Sequence, residues 1–378
     1  MKKLVFVTTI PISFHFFKGQ LHYLKDYFDV FAISSQKAEL KEIGEREGVE
    51  VIPIPMARPI SLWKDIKSLI LFVYTFLKLK PDIVHGSTPK GGFLSMIAAW
   101  VTRVPVRIYM CHGLRYQGTS GLLRQVLITA ERITCACASH VLCVSKGVWE
   151  TLKTDRICIG KPTVVLNGSS NGIDLDYYRR SRVTNRARLM RKYHITSSNF
   201  VFCFIGRVAQ DKGMNELLEA FQHLSRKYSH LRLLIVGNEE KEDPVSEQAR
   251  LIMELSPYIY FAGFQKDIRP YLSISDALLL PSYREGFGMV LMEAAAMGVP
   301  SIASDIIGCN NVLIEGENGL FVRPHDVASL VEAMERIYTD KTLRDHIRNV
   351  TRRSIAARFE QKMVWQAYLN NYLRLQPQ

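Results

Sequence analysis

The chain has 378 residues, of which 47% are hydrophobic and 22% are charged. This composition is typical of a folded protein with two domains of ordinary size, and it excludes an intrinsically disordered chain. The net charge of +13 lies mostly in the first half, where the residues up to Lys161 include 22 Lys and Arg against 12 Asp and Glu. Such a surface attracts phosphorylated lipids or nucleic acid. No nucleic-acid motif accompanies the charge, so we favour a membrane partner over nucleic acid. A basic face that serves only solubility is the remaining alternative.

The first residues predict a buried strand and not a signal peptide. The apolar run Leu4–Val7 is short, and polar Thr8 and Thr9 follow it directly. The longest apolar stretches, 68–77 and 91–101, are shorter than the roughly 20 residues that a membrane-spanning helix needs. The seven cysteines lack the spacing of a metal site, which predicts reduced thiols in a cytosolic protein.

Short β-branched or aromatic segments alternate with amphipathic segments along the chain, a pattern typical of parallel α/β domains. The predicted strands of the first half are Leu4–Thr8, Val30–Ser34, Val49–Ile54, Ile83–His85, Val106–Met110, Val141–Val144 and Thr163–Leu166. Those of the second half are Val201–Ile205, Leu233–Val236, Ile259–Ala262, Ala277–Leu280, Ser301–Ala303 and Leu320–Val322. The clearest helical patterns are Ser61–Lys78 and Leu122–Cys137.

A cluster of small residues, Asn167–Gly172, indicates a linker between two domains. We predict an α/β fold of two doubly wound Rossmann-like domains facing a central cleft, with boundaries 1–168 and 169–357. The tail 358–378 is predicted as a helix that packs back on the first domain. Ligands of such sheets bind beyond the carboxyl ends of the strands, so the residues that directly follow strands are the most informative.

The most specific motif is the segment Pro281–Glu293. A strand ends at Pro281, two glycines follow, and a helix is predicted to start near Gly288. Free amides at a helix start form an anion site suited to a diphosphate. Glu285 precedes the helix and Glu293 lies within it, about 12 Å away if the eight residues are helical. Two carboxylates so placed suit different sugar hydroxyls of one elongated ligand.

A second motif, Gly206–Gly213, directly follows the strand Val201–Ile205. Its Arg207 can bind phosphate in a forked manner, and its Lys212 supplies a point charge. Together they suit the negative charge that develops on a departing nucleotide diphosphate. The alternative to phosphate binding is that both basic residues lie in a solvated loop without a ligand.

These two motifs resemble those of the family-four retaining glycosyltransferases of the GT-B type. The likeness runs nearly end to end, and Pro89–Gly92 and Asn167–Asp174 resemble bacterial capsule and O-antigen transferases of that family. It implies an acceptor-binding first domain and a second domain that binds a nucleotide sugar, most simply a UDP-sugar. The implied acceptor is a polyprenyl diphosphate-linked saccharide at an anionic membrane. The implied location is the inner face of the plasma membrane, with peripheral association.

The resemblance also assigns roles to residues. It implies that Arg207 and Lys212 hold the diphosphate, that Glu285 contacts the donor sugar, and that Glu293 binds the ribose. It further implies a histidine beside the transferred sugar. The remaining assignments are catalytic His112 and the donor-binding residues Gly19, Gly206, Gly286, Phe287 and Gly288. Lys18 stands where many relatives have a second glycine beside Gly19, and Asn238–Pro244 replaces a common glycine and acid.

Several features have competing interpretations. Asp174 and Asp176 form an Asp-x-Asp pattern, but it lies in the linker, so we expect no metal cofactor. The segment Leu62–Lys80 has lysines around an apolar middle, which is typical of an interfacial helix and also of a helix packed on a sheet, and we favour the latter. Two other functions stay open, namely a non-catalytic scaffold of a polysaccharide assembly complex and a nucleotide-sugar epimerase. A nicotinamide enzyme is disfavoured, because no Gly-x-Gly-x-x-Gly follows a strand.

Overall fold

The computed structural model describes residues 1–57, 59–158, 160 and 162–375. Within them the chain divides into two units. Unit 1 comprises Met1–Gly172 together with the helix that begins at Gln361, and unit 2 comprises Ile173–Glu360. Each unit is an α/β domain built on one parallel sheet, so the predicted fold class is confirmed.

The strands of unit 1 form because apolar segments run continuously through a sheet that is covered on both faces. Its strands in the described residues are β1 (Lys3–Val7), β2 (Asp29–Ser34), β3 (Glu50–Pro53), β4 (Ile83–Ser87), β5 (Val106–Cys111), β6 (His140–Cys143) and β7 (Thr163–Val164). They pair in parallel in the order β3-β2-β1-β4-β5-β6-β7. The central strand β1 is almost completely buried from Leu4 to Val7.

The helices of unit 1 are α1 (Gln20–Leu24), α2 (Lys37–Glu47), α3 (Leu62–Leu79), α4 (Pro89–Val101), α5 (Gly121–Cys137) and α6 (Lys146–Thr154). The strand order reverses between β1 and β4. Because β-α-β crossovers are right-handed, the helices that follow β1 and β2 cover one face, and α3 to α6 cover the other.

Unit 2 repeats this plan. Its strands are β8 (Phe200–Ile205), β9 (Leu231–Val236), β10 (Ile259–Phe261), β11 (Ala277–Leu280), β12 (Ser301–Ser304) and β13 (Gly319–Val322), paired in the order β10-β9-β8-β11-β12-β13. Its helices are α7 (Arg186–Lys192), α8 (Met214–Lys227), α9 (Glu247–Leu255), α10 (Arg269–Ile274), α11 (Met289–Ala296), α12 (Cys309–Val312), α13 (Val327–Thr339) and α14 (Lys341–Phe359).

The core of unit 2 lies between β8, β9 and the helices that cover them. Phe202 and Phe204 are fully buried there and contact a cluster that includes Phe221 of α8. Each such side chain contributes about 1.5–3 kcal/mol through burial of apolar surface. The core thus fixes the ends of β8 and β11, which flank the point where the strand order reverses.

The carboxyl-terminal tail differs from the single helix predicted from Arg358. The last helix, α15 (Gln361–Leu375), is separated from α14 by Glu360, whose backbone is extended. Ile173 pairs with Glu360 as an isolated bridge, and its N–H donates to the carbonyl of Phe359 at 2.8 Å. These partners are distant in sequence, so the break is set by tertiary pairing and not by a local helix breaker.

Helix α15 belongs to unit 1, where its two tyrosines are buried. The Tyr372 hydroxyl lies 2.7 Å from Nδ1 of His85, and the Tyr368 hydroxyl donates to the carbonyl of Ser169. Trp365 donates its indole N–H to Asn171 at 2.6 Å. The aromatic stripe of the tail therefore serves packing, as the sequence indicated. No helix in the described part of the chain is long and apolar enough to cross a membrane.

Candidate functional site

The loop after β8 is held in place at two glycines of unit 2. A Cβ atom on Gly213, which has a φ of +67°, would lie 2.0 Å from the carbonyl oxygen of Pro281. A Cβ on Gly237 would meet the carbonyl oxygen of Gly206 in the same way. Only glycine permits such approaches. The close contact at Gly213 brings Lys212 beside the segment that follows β11.

Lys212 and Glu285 form an ion pair at this point. The Nζ atom of Lys212 donates to Oε1 of Glu285 at 2.7 Å, and both side chains are less than one-fifth exposed. The Ser282 hydroxyl donates to the same carboxylate oxygen at 2.9 Å. Charged groups in such a partly desolvated position interact more strongly than on the open surface. The two sequence motifs are therefore brought together by a specific contact.

Arg207 lies in the same loop and has different partners. Its guanidinium donates to Asp211 at 3.0 Å and to Glu240 at 3.2 Å, while about half of the side chain stays exposed. Arg284 also contacts Asp211 at 3.3 Å. The acids orient Arg207, and its remaining N–H groups are open to a phosphate. Glu240 comes from the unusual segment after Gly237, which gives that segment a structural role.

Helix α11 begins directly after the glycine pair, as predicted. Its N-cap is Gly288, with a φ of +65°, and no side chain caps the first amides. Uncapped amides and the helix dipole together favour an anion at this end. Phe287 is buried and packs edge-on against Phe359, with ring centroids 5.5 Å apart. Its side chain anchors the loop, so only its backbone is available to a ligand.

Glu293 lies one turn into α11 and faces Tyr178. The Tyr178 hydroxyl donates to Oε1 of Glu293 at 2.6 Å. Burial raises the pKa of Glu293 to about 7, although the hydrogen bond from Tyr178 acts in the opposite direction. The carboxylate is a strong acceptor when ionised, as paired hydroxyl groups require. Because Glu285 lies outside the helix, the 12 Å estimate for eight helical residues does not apply.

In unit 1, His112 follows β5 as predicted. Its ring stacks on Phe16 with centroids 4.6 Å apart and meets Phe17 edge-on. Burial lowers the pKa of His112 to about 4, so the imidazole is neutral near pH 7. Its Nε2 atom is buried and has no partner in the described residues. A neutral imidazole whose ring nitrogen has no partner can accept one hydrogen bond from a hydroxyl or donate one to it.

Gly19 has a positive φ of +80°, and a Cβ there would come within 2.8 Å of the Trp365 ring. Its N–H donates to the buried carboxylate of Glu47, at 3.0 and 3.1 Å to the two oxygens. Arg46 donates to the same carboxylate at 2.8 Å. The amide of this loop therefore already has an anionic partner within the protein.

The Asp-x-Asp pattern has a local role. One oxygen of Asp174 accepts the N–H groups of Asp176 and Tyr177, and the Asp176 carboxylate pairs with Arg179 at 2.9 Å. The described residues contain no group of three or more His, Cys, Asp or Glu that could hold a metal ion. All seven cysteines are free thiols in the structure.

Sequence reasoning missed three contributors to these sites: Ser282, Tyr178 and Glu47. Ser282 lies inside the predicted motif, and the available signal was a hydroxyl side chain three residues before Glu285. Tyr178 is 115 residues from Glu293, and Glu47 is 28 residues from Gly19. No local pattern connects such pairs.

Comparison with known proteins identifies the family. A model described as "Glycosyl transferase 4-like domain" matches residues 26–168, and one described as "Glycosyl transferases group 1" matches residues 185–354. The capsular polysaccharide biosynthesis glycosyltransferase CapM of Staphylococcus aureus is 32% identical, over 98% of this chain and 97% of its own length. An Escherichia coli UDP-Gal:alpha-D-GlcNAc-diphosphoundecaprenol alpha-1,3-galactosyltransferase is 28% identical, over 84% of this chain and 82% of its own.

Among solved structures, HepE from Anabaena in complex with UDP and glucose superposes with a TM-score of 0.81 at 19% identity, covering 99% of this chain and 100% of that one. This likeness shows the GT-B fold. With the end-to-end match to CapM and both halves covered by glycosyltransferase models, the chain belongs to the family-four glycosyltransferases and is a sugar-transferring enzyme.

Proposed function

We propose that the enzyme transfers a hexose or N-acetylhexosamine from a UDP-sugar to a polyprenyl diphosphate-linked saccharide, with retention of the anomeric configuration. The product is a lipid-linked intermediate of capsule or O-antigen polysaccharide. The observation that carries the proposal is the Lys212–Glu285 ion pair beside the uncapped start of α11. It places a cation, a carboxylate and helix amides around one point at the reversal of the strand order.

The proposed sugar donor follows from the groups around the Lys212–Glu285 ion pair. A diphosphate pairs with Arg207, Lys212 and the amides of Gly286 to Gly288, and the ribose hydroxyls donate to Glu293. Support for uridine comes from the Escherichia coli relative, whose name specifies UDP-Gal, and from HepE, which was solved with UDP. The positive side chains supply the charge that a metal would bring, so transfer is proposed to need no metal cofactor.

The reaction proceeds by departure of the diphosphate. The bond between the sugar C1 and the phosphate oxygen breaks, and its electron pair goes to the diphosphate, where Arg207, Lys212 and the α11 amides stabilise it. The acceptor hydroxyl oxygen forms the new bond to C1 on the same face, and its proton passes to the departing phosphate. Glu285 holds the donor sugar, and the proposed role of neutral His112 is a hydrogen bond to a sugar hydroxyl. No covalent enzyme intermediate is required.

The acceptor and location follow from the charge of the first half and from the relatives. The Escherichia coli relative acts on a diphosphoundecaprenol acceptor by name, and CapM is named for capsule synthesis. A net charge of +10 up to Lys161 suits an anionic membrane. The proposed location is therefore peripheral, at the inner face of the plasma membrane.

The first test is thermal unfolding with UDP, GDP, ADP and dTDP in turn. A ligand at 100 times its Kd stabilises the folded state by about 2.7 kcal/mol, which raises the melting temperature measurably. We expect a shift with UDP that Arg207→Ala abolishes and that Arg336→Ala, an exposed position in α13, retains. A shift that Arg207→Ala leaves intact would contradict the donor site.

The absence of a shift with every nucleotide would contradict a donor site that binds the free nucleotide. Activity that survives a metal chelator, and anomeric analysis of the product, test the remaining two parts of the proposal.

A further inference from the structure

Exposed apolar side chains are concentrated on three helices of unit 1. Of 25 exposed large hydrophobic residues in the described chain, 13 lie on α3, α4 and α5. They are Leu62, Trp63, Ile66, Ile70, Leu71, Tyr74, Leu77, Trp100, Val101, Leu122, Leu123, Val126 and Ile133. Single exposed apolar residues are ordinary, but a large contiguous patch marks an interaction surface.

Helix α3 is apolar on two opposite sides. Phe72 and Phe76 are buried against the protein, whereas Trp63, Ile70 and Tyr74 are 78%, 62% and 64% exposed. The exposed residues follow each other at spacings of three, four and seven, so they form one stripe that faces away from the buried phenylalanines. The helix thus packs on the domain, as we favoured from the sequence, and has a second apolar stripe available to a partner.

The neighbouring helices carry exposed apolar residues as well. Helix α4 packs against both α3 and α5, and all three cover the same face of the sheet. Trp100, at the end of α4, is 58% exposed, and Leu122, at the start of α5, is 81% exposed. We call the outward sides of α3, α4 and α5, defined by the 13 residues above, the docking face.

The charged side chains that are exposed on these three helices are all basic: Lys64, Lys67, Lys78 and Arg132. The two acids in these helices do not offset them. Asp65 pairs with Lys90 at 2.7 Å, and the buried Glu131 accepts a hydrogen bond from Tyr109 at 2.6 Å. The docking face is therefore apolar and positively charged.

This charge decides between two occupants. In a symmetric dimer the same patch meets itself, which would bring the four cations of each copy together without an exposed acid to pair with them. An anionic lipid surface instead offers phosphates to the cations and an acyl boundary to the apolar residues. Exposed Trp and Tyr side chains are also suited to the level of the headgroups.

We propose that the docking face seats the enzyme on an anionic lipid bilayer, with Trp63, Ile70 and Tyr74 entering the boundary between headgroups and acyl chains. The inference rests on the membrane association in the proposed function and assigns it to specific residues. It orients unit 1 with α3 to α5 toward the lipid.

The test is cosedimentation of the full chain with vesicles of phosphatidylcholine alone or mixed with phosphatidylglycerol. We expect binding to the anionic vesicles, weakened by salt, and at least tenfold weaker binding of the double variant Ile70→Glu with Tyr74→Glu. The matched control, Leu251→Glu with Leu255→Glu, changes two exposed leucines of α9 in unit 2 and should bind like the wild type. The triple variant Lys64→Glu, Lys67→Glu and Lys78→Glu leaves the apolar stripe intact and should also lose anionic binding.

Equal binding by the Ile70/Tyr74 variant and the wild type would overturn the assignment, as would a wild type that ignores anionic vesicles. A wild-type dimer in sedimentation analysis that the Ile70/Tyr74 variant converts to a monomer would assign the face to a second copy. The UDP-induced thermal shift, measured on the wild type and on the Ile70/Tyr74 variant, separates the two proposals. A wild type that shows no shift with UDP would contradict the donor site, whereas vesicle binding tests only the docking face.

Discussion

Neutral side chains follow the central strands of unit 1, whereas ionised side chains follow those of unit 2. After β1 and β4 the chain continues with Thr9 and Thr88, whose hydroxyls lie 2.7 Å apart, and after β5 it continues with neutral His112. In unit 2 the corresponding positions hold Arg207 after β8 and the Lys212–Glu285 pair beside β11. The central strand order is nevertheless the same.

The difference shows that the shared fold supplies a place and the loop residues supply the chemistry. Cations and helix amides suit a diphosphate, while hydroxyls and a neutral imidazole suit the uncharged hydroxyl groups of a sugar. The outer surfaces diverge as well, because the exposed apolar residues of unit 1 gather on the docking face. Four substitutions test this contrast.

Lys212→Ala should have the largest effect, a fall of about 100-fold or more in the turnover of sugar transfer. The change removes a cation from the departing diphosphate, and loss of one such stabilising group typically costs this much. It also leaves the largely buried Glu285 without its ion pair. Turnover with a UDP-sugar is the measurement, and Lys341→Ala, an exposed lysine of α14, is the control. Unchanged turnover would mean that unit 2 does not use its charge in catalysis.

Gly213→Ala should destabilise the protein by about 3 kcal/mol or more. A left-handed backbone costs a non-glycine residue about 1–2 kcal/mol, and the new Cβ would also overlap the carbonyl of Pro281. Gly263→Ala is the matched control, because its φ of +65° is nearly the same and its Cβ would meet nothing within 4 Å. Denaturant unfolding should therefore separate the two variants. Equal losses would show that the contact between the loops of unit 2 can relax.

Acid should act on unit 1 through His85. Burial, with a further contribution from His112, lowers the pKa of His85 to about 3, so the folded state stays neutral while the unfolded state gains a proton below about 6.5. The stabilisation that results from the lowered pKa of His85 is present above about pH 6.5. It is lost as the pH falls, by about 1.4 kcal/mol of unfolding free energy per pH unit. His85→Leu should reduce the loss in unfolding free energy between pH 7 and pH 5 by about 2 kcal/mol.

Tyr178→Phe should have the smallest effect, a loss of about threefold to tenfold in UDP affinity at pH 7. The hydroxyl of Tyr178 favours the ionised form of Glu293, so its removal raises the pKa of that carboxyl above about 7 and leaves more of it protonated. At pH 8.5 the carboxylate is restored and the affinity difference should narrow. Calorimetric titration at both pH values checks this. A loss of equal size at both would indicate a packing role only.

The strands could be predicted from the sequence because buried β-branched and aromatic runs, such as Val201–Ile205, are local signals. All the predicted strands are present, with ends that differ by at most two residues. The break at Glu360 could not be predicted, since Ile173 causes it from far along the chain. For α3 the sequence offered a packed helix and an interfacial helix as alternatives. It could not show that the helix has two apolar sides, because periodicity does not show which apolar residues a neighbouring helix covers.

For the site, the motifs identified Arg207, Lys212, Glu285 and the start of α11, because both motifs directly follow strands. Their roles remain predictions, and so do those of His112 and Gly19. The hydrogen bond from Tyr178 to Glu293 and the bond from Gly19 to Glu47 depend on how distant segments fold together. Such contacts determine protonation and loop position, and they leave no pattern in the sequence.

The position of α15 has a consequence for biosynthesis. Unit 2 is one continuous segment, whereas the sheet of unit 1 receives Tyr368 and Tyr372 from a helix that the ribosome makes after all of unit 2. Because unit 1 needs α15 to complete its packing, we expect it to gain its last contacts only after the whole of unit 2 has been synthesised. The domain that begins first along the chain is thus the one that is finished last.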